Sequence, residues 1–316
     1  MRPQAHELIR TWLFSTVVRA HLESNVLPWS DAAISGWILD PDRKKMSKSK
    51  GNVVTPMGLL DEHGSDAVRY WAASGRPGTD TAFDVGQMKI GRRLAIKVLN
   101  ASKFALSLKA TTEGAAGDVS EPLDRAMLAQ LADVVREATA AFEAYNYTKA
   151  LETTEQFFWQ FCDDYVELVK DRVYDDANSA GQKSARLALG IATETYLKLF
   201  APFLPFVTDE VWSWWQSASV HASEWPSASR LSAFAAGAEP QTMNAVSSIV
   251  SQLRKIKSDA QVSMRTEISS AIISAPALVI ELARTVQRDL LVGTRVHSAT
   301  WIESTEISAS GTLVQG

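Results

Sequence analysis

Arg43-Lys44-Lys45-Met46-Ser47-Lys48-Ser49-Lys50-Gly51-Asn52-Val53-Val54 is the stretch from which the rest of the chain can be read. Between Arg43 and Lys50 it carries five basic residues and no acid, and it closes on Gly-Asn. An apolar run, Ala32-Ala33-Ile34-Ser35-Gly36-Trp37-Ile38-Leu39, precedes it and reads as a strand. Asp40-Pro41-Asp42 between the two signals a turn. Lysines and hydroxyls on a loop hinged at Gly51 and Asn52, at the end of a strand, suit closure on phosphate. A lysine ammonium is a compact charge on a flexible stem, so it can follow an anion. A solvated basic loop or a localisation signal is the plainer alternative.

Upstream, residues 6–24 read as a helix, with Leu8, Trp12, Ser15, Val18 and Leu22 at helical spacing. Helix, loop, strand and basic loop together resemble the last unit of a parallel α/β sheet, whose ligands sit at the carboxyl ends of strands. One such unit cannot cover both faces of a parallel sheet, so by itself it is no nucleotide-binding domain. Downstream, Thr55-Pro56 caps a short helix that stops near Gly64, and Ser65-Asp66 caps a second over residues 67–73.

The remaining chain is mainly α. A long amphipathic helix spans 85–109, with Leu94, Val98, Ala101, Ala105 and Leu108 on one side. Lys89, Arg92, Arg93, Asn100 and Lys103 share the other side, a solvated face or an RNA-backbone contact. Helices follow at 121–144, 147–171, 184–200 and 206–217. Phe157, Phe158, Trp159 and Phe161, then Trp212, Trp214 and Trp215, fit a helical core better than a base-stacking platform. Residues 87–217 read as an antiparallel helical bundle. The tail changes character: helix at 241–259, strand at 267–273, helix at 276–290, strand at 297–303, a small α+β module. Arg254, Lys255 and Lys257 close the first of these helices; they suit either RNA or the helix dipole. Ala/Gly/Ser-rich linkers fall at 111–117, 178–181 and 227–239.

The totals set limits. The 316 residues suffice for two or three domains, and 46% hydrophobic content supports a large core. A net charge of −4 argues against wholesale coating of nucleic acid, while a local basic face stays open. Cys162 is the single cysteine, which excludes an internal disulfide and a cysteine-based zinc cluster; it reads as a buried thiol. No metal site is expected. No apolar run reaches 18 residues and no signal-peptide core follows Met1, so the expected location is the cytoplasm, without a membrane.

Lys45-Met46-Ser47-Lys48-Ser49, followed by Gly51-Asn52-Val53-Val54, resembles the KMSKS signature of class I aminoacyl-tRNA synthetases. Longer stretches resemble the valyl branch of class Ia. They are Ile9-Arg10-Thr11-Trp12-Leu13-Phe14, Asp66-Ala67-Val68-Arg69-Tyr70-Trp71, Thr79-Asp80-Thr81-Ala82-Phe83-Asp84 and Asn100-Ala101-Ser102-Lys103-Phe104. Phe157-Phe158-Trp159-Gln160-Phe161-Cys162-Asp163 and Pro202-Phe203-Leu204-Pro205-Phe206-Val207-Thr208-Asp209-Glu210 are similar to that branch's helical anticodon-binding domain.

The resemblance implies a fold in four parts. Residues 1–55 form the C-terminal end of a Rossmann-like α/β catalytic domain, and 56–86 connecting helices that contact the tRNA stem. Residues 87–235 form the antiparallel helical anticodon-binding bundle, and 236–316 the α+β module. It implies a reaction in which valine and ATP give valyl-adenylate and pyrophosphate, and valine then passes to the 3′ end of tRNA(Val). Lys48 and Lys45 are the expected catalytic and ATP-binding lysines: Lys48 matches the signature's second lysine and is expected to contact the ATP phosphates and steady the departing pyrophosphate, and Lys45 to support the loop and the phosphates. Met46, Ser47 and Ser49 join the ATP-binding set, and Gly51 and Asn52 shape the hinge. Lys89, Arg92, Arg93, Lys103, Arg254 and Lys257 are the candidate tRNA contacts. Mg2+ arrives on the nucleotide. The His-x-Gly-His type signature, the first half of the nucleotide fold, the inserted editing domain and a C-terminal coiled coil are absent. The chain therefore reads as the C-terminal part of a longer, monomeric synthetase whose N-terminal catalytic half is a partner, inactive by itself. An isoleucyl-type synthetase and a non-catalytic tRNA-binding module are the alternatives.

Overall fold

The structure, a computed structural model, describes residues 1–175 and 179–314, and of Lys48 the backbone only. The chain is mostly helical. It divides into two compact units, one of Met1–Leu99, Glu137–Thr153 and Phe200–Ser223, the other of Asn100–Arg136, Thr154–Leu199 and Glu224–Gly316.

In the first unit, β1 (Arg2–Ala5) pairs parallel with β2 (Ala32–Ser35), Arg2 opposite Ala32. The run expected as one helix over 6–24 takes three geometries. A 3-10 turn at His6–Leu8 and a π turn at Ile9–Leu13 lead into α1 (Phe14–Ser24). The strand expected over 32–39 is likewise two, β2 and β3 (Ile38–Leu39), and β3 pairs parallel with β4 (Thr81–Ala82). Gly36 lies at the break. A Cβ there would stand 2.2 Å from the carbonyl oxygen of Thr79, so only glycine lets the two backbones pass this closely.

Beyond the basic loop come α2 (Pro56–His63) and α3 (Ser65–Ser74). The cap of α3 is Gly64, not Ser65-Asp66. The Asp66 carboxylate instead accepts from the backbone N–H groups of Phe206 (3.1 Å) and Val207 (2.8 Å). These open α9 (Pro205–Trp212), so Asp66 satisfies the free donors of another helix. Helix α4 (Val85–Ser107) starts where expected, ends two residues short of 109, and buries Met88, Leu94, Val98 and Ala105.

The second unit draws its core from α5 (Pro122–Glu143) as far as Arg136, α6 (Tyr147–Gln160) from Thr154 on, a π turn at Phe161–Tyr165, α7 (Val166–Tyr174) and α8 (Ala180–Phe200) as far as Leu199. Leu123, Met127, Leu131, Phe158, Phe161, Tyr165, Leu168 and Tyr196 are all fully enclosed there. Phe157, Phe158 and Phe161 are thus core, as their spacing indicates, and Cys162 is buried with them. Among them sits Arg172. Its guanidinium donates to both oxygens of Asp124 (3.0 and 2.7 Å), both of Asp289 (2.8 and 3.1 Å) and the Gly181 carbonyl (2.9 Å). Burial opposes its charge, but the two carboxylates outweigh burial and hold the proton more firmly than usual.

The tail contains α11 (Thr242–Asp259), β5 (Ile268–Ala275), α12 (Ala277–Thr285), α13 (Gln287–Thr294), β6 (Ala299–Glu303) and β7 (Ser308–Leu313). The sheet runs β6-β5-β7, parallel on the first side and antiparallel on the second. Three expectations change. The helix expected over 276–290 breaks at Val286. The stretch expected as a linker over 227–239 carries α10 (Ala228–Phe234), capped by the Ser227 hydroxyl, which accepts from the Arg230 N–H at 3.2 Å. A third strand, β7, lies in Ser/Thr/Gly-rich sequence. The linker expected over 178–181 begins outside the described residues, and α8 already starts at Ala180.

Candidate functional site

The basic loop leaves the carboxyl end of β3 and is closed by one aspartate and one asparagine. The Asp40 carboxylate accepts from the Lys44 N–H (2.7 Å) and from the Asn52 amide (2.7 Å). The Asn52 amide also donates to the Lys45 carbonyl at 3.3 Å, and its own oxygen accepts from the Ser47 N–H at 3.0 Å. Asn52 therefore joins both ends of the loop, a stronger part than a hinge. Its hydrogen bond, then that of Lys44, keeps the Asp40 carboxyl below its ordinary value. The two residues that turn the backbone are Arg43 (φ 60°) and Gly51 (φ 68°), both left-handed, a conformation that costs glycine little.

Within this frame Lys48–Lys50 forms a 3-10 turn, the Lys50 N–H donates to the Ser47 carbonyl at 3.1 Å, and the Ser47 and Ser49 hydroxyls stand 3.2 Å apart. Lys45 points back toward the 3-10 turn at His6–Leu8. Its ammonium lies 2.6 Å from a Glu7 carboxylate oxygen and 4.2 Å from the centre of the Trp37 ring. The hydrogen bond from Lys45 holds the Glu7 carboxyl below its ordinary value. His6 packs on the same Trp37 ring at 4.6 Å and hydrogen-bonds the Ser35 carbonyl at 3.2 Å. The side chain of Lys48, the expected phosphate ligand, lies outside the described residues, and Met46 is half-buried.

The structure separates the candidate tRNA contacts. Lys89, Arg92, Arg93 and Lys103 are all exposed on α4, and Arg92 donates to the Glu62 carbonyl at the end of α2 (2.7 Å). Arg254 is paired with Asp164 at 2.7 Å. Lys257 is corrected: only 3% exposed, its ammonium donates inward to the carbonyls of Met264 (3.1 Å) and Thr294 (2.8 Å), away from any RNA backbone. Burial, then Arg295 and Arg254, pull its pKa below the ordinary lysine value. Three residues of the loop site escaped the sequence reading: Glu7, Trp37 and Asp40. Glu7 is the one acid in residues 1–22, and Asp40 is the first acid of the turn before the loop; both were visible signals.

Residues 3–84 match the family of class I tRNA synthetases (I, L, M and V), and residues 124–273 match the anticodon-binding domain of tRNA ligase. Both stretches are thus similar to domains of tRNA ligases. Among its relatives, the valine–tRNA ligase of Thermobifida fusca is 59% identical over 94% of this chain and 33% of its own length. That of Salinispora arenicola is 54% identical over 92% of this chain and 36% of its own. The chain is homologous to valine–tRNA ligases and spans about a third of the length of these curated relatives. A solved structure, the ternary complex of Agrobacterium radiobacter K84 agnB2 LeuRS-tRNA-LeuAMS, matches with a TM-score of 0.60. It covers 72% of this chain and 28% of that one, at 22% identity, a likeness of fold.

Proposed function

We propose that this chain is the part of a valine–tRNA ligase that supplies the phosphate loop and the anticodon-binding helices. The full enzyme activates valine with ATP and transfers it to tRNA(Val). The observation that carries this reading is the loop itself: lysines and serines at the carboxyl end of a parallel strand, closed by Asp40 and Asn52. Lys48 stabilises the charge on the departing pyrophosphate, and Ser47, Ser49 and the Met46 backbone line the phosphate path. Lys45 supports the loop from its base. No nucleophile is required, because positioning and charge stabilisation account for adenylate formation. Mg2+ enters with the nucleotide and offsets phosphate charge.

The uncovered apolar side chains of residues 8–27, Leu8, Ile9, Phe14, Leu22 and Leu27 among them, support a further part of the reading. The rest of the catalytic domain packs here and delivers ATP and valine. The exposed cations of α4, Lys89, Arg93 and Lys103, face tRNA phosphates. On this reading residues 1–55 are the end of a Rossmann-like domain, 56–86 connecting helices, 87–235 an antiparallel bundle and 236–316 an α+β module. No helix among the described residues is long and apolar enough to cross a membrane, and we place the enzyme in the cytoplasm as a monomer.

The test is amino-acid-dependent ATP–pyrophosphate exchange by the full-length enzyme. Exchange that requires valine and is not supported by isoleucine is the expected result. Exchange driven by isoleucine transfers the assignment to that branch, and none with either leaves a tRNA-binding protein without activation chemistry.

A further inference from the structure

We propose that Glu7 is a positioning residue that docks Lys45 against Trp37 and so fixes the base of the loop. The outer part of the loop, from the Met46 backbone to Lys50, is then left to meet phosphate. The inference rests on the phosphate-loop reading above and names what holds Lys45 at the base of that loop.

Three observations converge on this pair. Lys45 is separated from Glu7 by 38 residues of sequence, yet their charged atoms stand 2.6 Å apart. The Lys45 ammonium also lies 4.2 Å over the Trp37 ring, which His6 braces from the neighbouring position at 4.6 Å. At its other side the loop is joined to β3 by the Leu39–Lys45 bridge, and Asn52 holds the Lys45 carbonyl at 3.3 Å. Both backbone and side chain of Lys45 are thus committed to the scaffold.

An ammonium shared by a carboxylate and an aromatic face has lost much of its capacity to bind a polyphosphate. Were Lys45 a phosphate ligand, nucleotide binding would first have to break this pair. A fixed base costs less: the moving part of the loop is shortened to the residues after Met46, and fewer torsions must be ordered when ATP arrives. Glu7 acts through Lys45 and touches no reacting atom.

The charge-swapped pair E7K/K45E separates the two roles, because it restores an ion pair but puts a carboxylate where the lysine was. Two readouts are used, and E7A stands beside them as the simple deletion. In this chain, trypsin cleavage after Lys48 and Lys50, followed by mass spectrometry, reports loop mobility. E7A is expected to speed that cleavage about three- to fivefold, K45E alike, and the swap to bring it back to near the wild-type rate. In the full-length enzyme, valine-dependent exchange is expected to fall in kcat with E7A and K45E and to recover in the swap, with the KM for valine unmoved. A swap that leaves both loop cleavage and exchange as impaired as K45E overturns the proposal, and so does E7A with wild-type cleavage. A full-length enzyme without any exchange defeats the functional reading alone, and the cleavage data then decide the positioning role separately.

Discussion

Helices α1 and α11 are both amphipathic, and they end in opposite states. Helix α11 buries Met243, Val246, Ile249, Val250 and Leu253 against β7, α12 and α13. Helix α1 buries none of its residues; Leu22 remains 77% exposed, and Leu27 just beyond it 70%. Periodicity creates an apolar face but does not provide its cover. The charged groups repeat the contrast. Arg172 in the second unit is enclosed, with every nitrogen of its guanidinium hydrogen-bonded. Lys45 in the first is half-exposed and answers to one acid. The second unit is a finished core, whereas the first leaves the apolar side chains of residues 8–27 uncovered beside a loop tied down at its base.

The largest expected effect lies in the finished core. Arg172→Met leaves Asp124 and Asp289 buried without their cation and should cost about 3–5 kcal/mol in urea denaturation of the chain. Adding Asp124→Asn and Asp289→Asn should return part of that loss, and no recovery would mean that packing, not charge, made the cluster. A paired truncation tests the helices directly. Leu253→Ala in α11 should cost about 2–5 kcal/mol, and Leu22→Ala in α1 no more than about 0.5 kcal/mol. Equal losses would show that α1 is covered after all.

Smaller effects belong to the loop. Asn52→Ala should speed proteolysis between residues 43 and 50 severalfold while the denaturation midpoint stays put, because the bonds lost hold only the loop. Coincident changes in both would make the loop part of the core. The smallest effect is one of pH. The Asp40 carboxyl is depressed by Asn52 and Lys44, so the closed loop is at full strength above the ordinary carboxylate value. It loses that strength as pH falls through the lower folded value. Amide exchange at Lys44, corrected for its intrinsic rate, should keep its protection down to the ordinary carboxylate range and lose it only below; loss at neutral pH would assign the protection to another group.

What the sequence disclosed follows the range of each interaction. The loop was legible because its residues are consecutive and their order is specific. The aromatic core of α6 and the π turn after it was legible because helical spacing of large rings has few other uses. Contacts between distant positions were not: nothing local joins Glu7 to Lys45 or Asp66 to the N-terminus of α9. Gly36 concealed a break because the cause, the Thr79 carbonyl, lies far along the chain. Strand β7 was missed because an edge strand of serine, alanine and glycine has little apolar alternation, its pairing coming from β5. Lys257 sat in a basic cluster, and only the positions of Met264 and Thr294 show that its charge turns inward.

The most direct measurement of the central claim is valine-dependent ATP–pyrophosphate exchange by the full-length enzyme with Lys48→Ala. The loop reading expects kcat to fall by about 10²–10³-fold with little change in the KM for valine. Exchange at the wild-type rate would contradict it, and the loop would then be a solvated basic turn beside an active site built from other residues.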